Sequence, residues 1–154
     1  MSSFGGEKTV IDLLNELIEL DYDAIEAYQA AVGRVLESRD RGRIAAFLEE
    51  HRRHVQELSS LVRQLGGEPP GGGDLKQILA RGKVAIGALF GDRLVLEAMK
   101  MNEAESKALH EHIAARADVG EPVKEVLLRH LADERRHHDW IVDRLDAAEG
   151  LLRL

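Results

Sequence analysis

The sequence predicts an all-α fold, a four-helix bundle of two antiparallel helix pairs joined by one long crossover. Three observations predict it. Apolar residues recur at spacings of three and four over four stretches, the period of a helix face turned to a core. Proline occurs only three times, and 32% charged with 44% apolar residues suits helices better than sheets or disordered chain. A block at residues 50–54 returns at 133–137, so the helices come as a duplicated pair.

Helix A is expected over about 9–37. Thr9 and Asp12 make a capping box ahead of the stripe Ile11, Leu14, Ile18, Ile25, Tyr28, Val32 and Val35. Asp21 is the one acid inside that stripe, whereas Asp23 and Glu26 fall beside it and read as solvated. Asp40 is placed to cap helix B, over about 41–65, whose face carries Ile44, Phe47, His51, His54, Leu58, Leu61 and Leu65. Leu65-Gly66-Gly67 is a glycine stop with Pro69-Pro70 behind it. The crossover, 66–91, is Gly/Pro-rich to residue 74, and a short helix suits Leu75 to Phe90.

Helix C, about 92–116, runs through Val95, Met99, Glu103, Ser106, His110 and Ile113. Gly120-Glu121-Pro122 makes a tight connection, with Pro122 suited to the first turn of helix D, about 121–148. That last stripe reads Val123, Leu127, His130, Glu134, His137, Ile141 and Leu145, with the tail Leu151 to Leu154 beyond it. At 154 residues the chain reads as a single domain, 1–154, with enough length for a core.

Composition narrows the function. The formal charge is −7 and arginines are scattered among acids, which speaks against nucleic acid as a partner. Without cysteine there are no disulfides, thiolate zinc sites, iron–sulfur clusters or cysteine nucleophiles. No apolar run reaches membrane-spanning length, and Met1 to Gly6 lacks the pattern of a signal peptide. The expected location is the cytoplasm, with no membrane partner; apolar residues left on the outer faces would suit a homodimer.

The chemistry sits where ionisable residues interrupt the apolar stripes. Each repeat offers one carboxylate from its first helix and a three-apart pair from its second: Asp21 with His51 and His54, then Glu103 with Glu134 and His137. Glu50-His51-Arg52-Arg53-His54 matches Asp133-Glu134-Arg135-Arg136-His137 at an offset of 83, and Asp21 matches Glu103 at 82. Burying such groups costs several kcal/mol each unless something pairs with them, and a metal ion does so; the alternative is a metal-free polar network. His130 shares the Glu134 face one turn away, as an added ligand or a neighbour of the ligands. His110 reads as core or boundary, Tyr28 as packing with a redox or hydrogen-bonding role as the alternative, His112 and His138 as surface, and the arginine pairs as exposed ion pairs.

Register tests the set. At ~1.5 Å per residue, Glu103 lies about 16 residues before the C–D turn and Glu134 about 14 after it, at matching levels. Counted from a turn near residue 39, Asp21 lies about 18 before and His51 about 11 after, a mismatch on the order of 8–10 Å. Loop geometry or helix tilt can absorb part of this, and Asp21 is the weaker ligand of the set.

On these residues the chain resembles the ferritin-like superfamily over nearly its whole length. It is most similar to rubrerythrin-type bundles and to uncharacterised bacterial ferritin-like stress-associated proteins, the latter through Leu65-Gly66-Gly67-Glu68-Pro69 and Asn102-Glu103. The resemblance implies carboxylates from helices A and C and Glu-x-x-His from B and D. Glu103, Glu134, His137 and His54 match, Asp21 replaces a glutamate, and His51 stands where a bridging glutamate is expected. It further implies one or two transition-metal ions, with iron as cofactor and oxygen or peroxide as reactant. Glu134 would bridge, Glu103 and Asp21 would be terminal, and His54 and His137 would each cap one iron. The alternative is a non-enzymatic stress-associated bundle with a structural, zinc-like metal or a vestigial site, because an imidazole-rich set suits several metals.

Overall fold

A computed structural model describes residues 7–34, 38–71 and 92–152. Four helices make up the described chain: α1 (Val10–Arg34), α2 (Ser38–Gln64), α3 (Asp92–Ala114) and α4 (Glu121–Leu152). The expected crossover helix, Leu75 to Phe90, lies outside the described residues. Among the described residues no helix is long and apolar enough to cross a membrane.

The helix ends follow local chemistry. Thr9 Oγ1 accepts from the Asp12 amide and Asp12 Oδ2 accepts from the Thr9 amide, both at 3.1 Å, which starts α1. Gly66 takes φ +88° and closes α2: its amide reaches Arg63 O at 3.0 Å, and the Gly67 amide reaches Val62 O at 2.9 Å. A Cβ on Gly67 would lie 2.6 Å from Ile11 Cγ2, so only glycine lets the chain leave α2 this close to α1. Asn15 Nδ2 then donates to Glu68 O at 3.1 Å and ties the start of the crossover to α1.

Two ends differ from expectation. Helix α2 begins at Ser38, so Asp40 stands in its first turn and pairs with Arg144 at 2.8 Å instead of capping. Helix α4 continues through Leu152, past the expected end near residue 148.

All four neighbouring pairs, α1–α2, α3–α4, α1–α3 and α2–α4, run antiparallel, and α2 and α4 approach each other least closely. The core forms two apolar clusters. One holds Ala24, Tyr28, Ile44, Phe47, Met99, Ile141 and Leu145; the other holds Leu14, Leu17, Ile18, Leu58, Ile113 and Leu127. At roughly 1.5–3 kcal/mol for each large apolar side chain removed from water, these clusters hold the bundle together. Between them lies a fully buried layer of charge-bearing residues: Asp21, His51, His54, Glu103, Glu134 and His137.

Candidate metal centre

Each helix brings its share of that layer to one level. Asp21 comes from α1, Glu103 from α3, His51 and His54 from α2, and Glu134 and His137 from α4. The expected offset of Asp21 does not occur, since its Oδ1 lies 2.8 Å from His51 Nδ1. Its cause was the turn: Asp21 stands 13 residues before the end of α1 at Arg34, and His51 stands 13 after the start of α2 at Ser38. Counted from these helix ends, the two distances are equal.

The six side chains form two adjoining groups. Asp21, His51, His54 and Glu134 make the first, and His51, Glu103, Glu134 and His137 the second; within each group the ligand atoms lie within 4.8 Å of one another. In the first, His54 Nδ1 is 3.4 Å from Asp21 Oδ1 and 3.3 Å from Glu134 Oε1. In the second, His137 Nδ1 is 3.3 Å from Glu103 Oε1 and 3.9 Å from Glu134 Oε2. Glu134 thus turns one oxygen to each group. So does His51 with its nitrogens: Nδ1 faces Asp21, and Nε2 lies 2.9 Å from Glu103 Oε1. The halves correspond by the repeat, Asp21 with Glu103, His54 with His137 and His51 with Glu134.

The atoms facing inward fit a cation. Asp21 Oδ2, His54 Nδ1, Glu103 Oε2, both Glu134 oxygens and His137 Nδ1 are buried without hydrogen-bond partners. Each such atom costs about 1–3 kcal/mol if it stays unpaired. Ligands about 2.0–2.2 Å from a tetrahedral metal stand roughly 3–3.5 Å apart, close to the spacing seen in each group. These buried acids and histidines could therefore hold a metal ion.

In the absence of a cation, protons neutralise the layer. Burial opposes charge on His51, but the carboxylates of Glu134 and Glu103, with its bonds to Asp21 and Glu103, raise it well above the usual histidine range. His54, also against its burial, is pushed up to about 12 by its bond to Asp133 and by the nearby carboxylates of Asp21 and Glu134. Asp21 resists its own burial through its bond to His51 and the nearby His54 and stays well below the carboxylate range. Glu103 is lowered likewise, against burial, chiefly by the charge of His51. Glu134 goes the other way: burial and the neighbouring Glu103 charge raise it.

The outward nitrogens of the histidines are held across the wide α2–α4 seam. His54 Nε2–H donates to Asp133 Oδ2 at 2.9 Å, and His137 Nε2–H donates to Glu50 Oε1 at 2.6 Å. Those carboxylates are in turn clasped by Arg53 and Arg136: Arg53 pairs with Asp133, and Arg136 with Glu50 at 3.1 and 3.2 Å. Fixing the proton on Nε2 leaves Nδ1 as the free, inward acceptor. Sequence reading assigned the arginines to exposed ion pairs and assigned Glu50 and Asp133 no role of their own, although these two acids occupy matched places in the repeat. That match was the signal available for finding them.

Three further side chains flank the layer. Tyr28 is fully buried and its hydroxyl donates to Glu103 Oε1. His130, a candidate ligand by sequence, belongs to neither group; its ring stacks on His54 at 3.9 Å, and Nε2–H donates to Glu57 Oε1 at 2.8 Å. His110 Nδ1–H donates to Ser106 O at 2.7 Å. Tyr28 and Phe47 meet at 6.4 Å and 66°, and their repeat counterparts His110 and His130 at 6.2 Å and 69°.

A four-helix bundle that encloses a carboxylate–histidine cluster between two apolar layers is the class this fold and site define. Residues 9–118 match the family described as Domain of unknown function (DUF2383), and the chain belongs to that family. The match takes in α1, α2 and α3 and ends before α4, which supplies Glu134 and His137. The same comparisons find no match among curated proteins or solved structures.

Proposed function

We propose that this protein holds iron, as one or two ions, among Asp21, His51, His54, Glu103, Glu134 and His137. In this reading it serves iron handling or oxidative-stress defence in the cytoplasm by oxidising Fe(II) with oxygen or peroxide. The observation that carries it is the set of inward, unpartnered ligand atoms on six fully buried side chains. Bound iron would supply the one-electron redox chemistry that no side chain here provides.

The chain's own residues do the rest. Asp21, Glu103 and Glu134 supply negative charge, and His54 and His137 present Nδ1 because Asp133 and Glu50 fix their tautomers. His51 and His54 give up protons as a cation enters, so binding couples to proton release. Tyr28 holds Glu103 through its hydroxyl, and the apolar clusters on either side keep water from the layer.

Elemental analysis of untagged protein, before and after anaerobic Fe(II) loading, tests the reading. One or two irons per chain and turnover of Fe(II) with oxygen or peroxide are expected. A chain that takes up no metal under either condition would refute it.

One observation favours a second reading. His51 occupies a bridging place with nitrogen instead of carboxylate, which makes three imidazoles among six ligands and suits zinc. A non-enzymatic bundle with a structural ion would retain zinc through purification and show no turnover after iron loading.

A further inference from the structure

We infer that His51 makes the two groups alternative positions for a single tightly held ion, its tautomer setting which one is filled. The inference rests on reading the layer as a metal centre. It follows from the difference between the two shared side chains. Glu134 has lone pairs on both oxygens and turns one oxygen to each group, so it can serve both at once. A neutral imidazole has one nitrogen lone pair, and its other nitrogen carries hydrogen.

The geometry converts that difference into exclusion. With an ion on Nδ1, beside Asp21, His54 and Glu134, the Nε2–H bond points at Glu103 Oε1, 2.9 Å away. With an ion on Nε2, beside Glu103, Glu134 and His137, the Nδ1–H bond points at Asp21 Oδ1, 2.8 Å away. Either way the hydrogen satisfies the carboxylate of the empty group and presents positive charge to any second cation. The ring is held in place: it is fully buried, with Tyr28 and His137 each at 4.9 Å and His54 at 5.6 Å between centroids. Since each group has its own terminal acid and histidine, neither position depends on the terminal residues of the other.

The test is anaerobic titration of the full chain with Zn(II), and separately Co(II), read as ions per chain by native mass spectrometry and calorimetry. Wild type should bind one ion tightly, and a second at least about tenfold more weakly, a difference of 1.4 kcal/mol. His54→Gln and His137→Gln should each still bind one ion, because the other position survives, while the double variant loses tight binding. His51→Glu should bind two ions of similar affinity. Two equal ions in wild type overturn the inference and leave the metal reading standing. Loss of the ion in one single variant but not the other also overturns it, since that marks a fixed position. No binding of either metal by wild type overturns both. Helical circular dichroism identifies any variant that fails to fold, and the wild-type stoichiometry alone still decides the matter.

Discussion

Around Glu103 and His137 the flanking rings are Tyr28 and Phe47; around Asp21 and His54 they are His110 and His130. The backbone places each pair alike: Phe47 lies 4.3 Å from His137, and His130 lies 3.9 Å from His54. The chemistry differs. Burial and the Glu103 charge hold the Tyr28 hydroxyl well above its usual range, so it stays a donor to the second group. Burial lowers both His110 and His130, and each keeps a buried nitrogen without a partner, His110 Nε2 and His130 Nδ1. Duplication therefore carried over geometry, while the side chains diverged into a donor-furnished half and an acceptor-rich half.

The largest effect should come from the residue the halves share evenly. Glu134→Gln turns one of its two acceptor ends into an NH₂ donor, so metal affinity should fall by more than about 100-fold, beyond what an outer partner is worth. An unchanged titration would remove Glu134 from the centre. Next come the seam acids. Asp133→Asn and Glu50→Gln should each weaken only the position of its own histidine, His54 or His137, so each single variant keeps one tight ion and the double variant loses about 10–100-fold in affinity. A tenfold imbalance between the two variants would break the equivalence of the halves.

Swapping the flanks sharpens the contrast on stability. Phe47→His puts an imidazole among Tyr28, Trp140 and Met99 and should cost about 1–3 kcal/mol in urea denaturation. His130→Phe removes an unpaired nitrogen and leaves Glu57 to water and its arginines, so it should shift stability by less than about 1 kcal/mol. Equal losses in both directions would erase the distinction.

The stacked pair His54 and His130 should respond to pH with opposite signs in the metal-free protein. His130, lowered by burial and the His54 charge to about 4 from 6.5, contributes stability as a neutral ring. That contribution is complete above pH 6.5 and is lost as pH falls towards about 4, so His130→Phe should flatten this limb. His54, raised to about 12, contributes as a cation; the stability is complete below pH 6.5 and is lost as pH rises towards about 12. Denaturation at stepped pH should therefore show His54→Gln flattening the alkaline limb instead. The smallest effects belong to Arg53→Ala and Arg136→Ala, whose side chains are 47% and 46% exposed. Each should cost less than about 1 kcal/mol, and less still at high salt.

Much of this was legible in one dimension. Ionisable residues inside apolar stripes marked Asp21, His51, His54, Glu103, Glu134 and His137, because helical periodicity tells which side chains enter a core. The glycine stop at Gly66 and the box at Thr9 and Asp12 were equally local. What escaped depended on two helices at once. The level of Asp21 was misjudged because three residues' error in a turn shifts one helix against its partner by that much on both sides. Glu50, Glu57 and Asp133 lie beside their stripes, and nothing within one helix says that the neighbour stands far enough away for them to reach its histidines. Tyr28 left packing and hydrogen bonding both open, because a phenol satisfies an apolar stripe and a buried acid equally well.

Trp140 is the chain's single tryptophan, and its ring stands edge-on to Phe47 at 5.7 Å, one ring removed from His137. All indole emission from this protein thus comes from one fluorophore beside one half of the duplicated design. The half built on Asp21 and His54 is flanked by the imidazoles of His110 and His130 instead. Fluorescence should consequently be a lopsided gauge: a quenching ion beside His137 dims the indole strongly, and the same ion beside His54 does so less. The molecule carries its own optical record of which side is occupied.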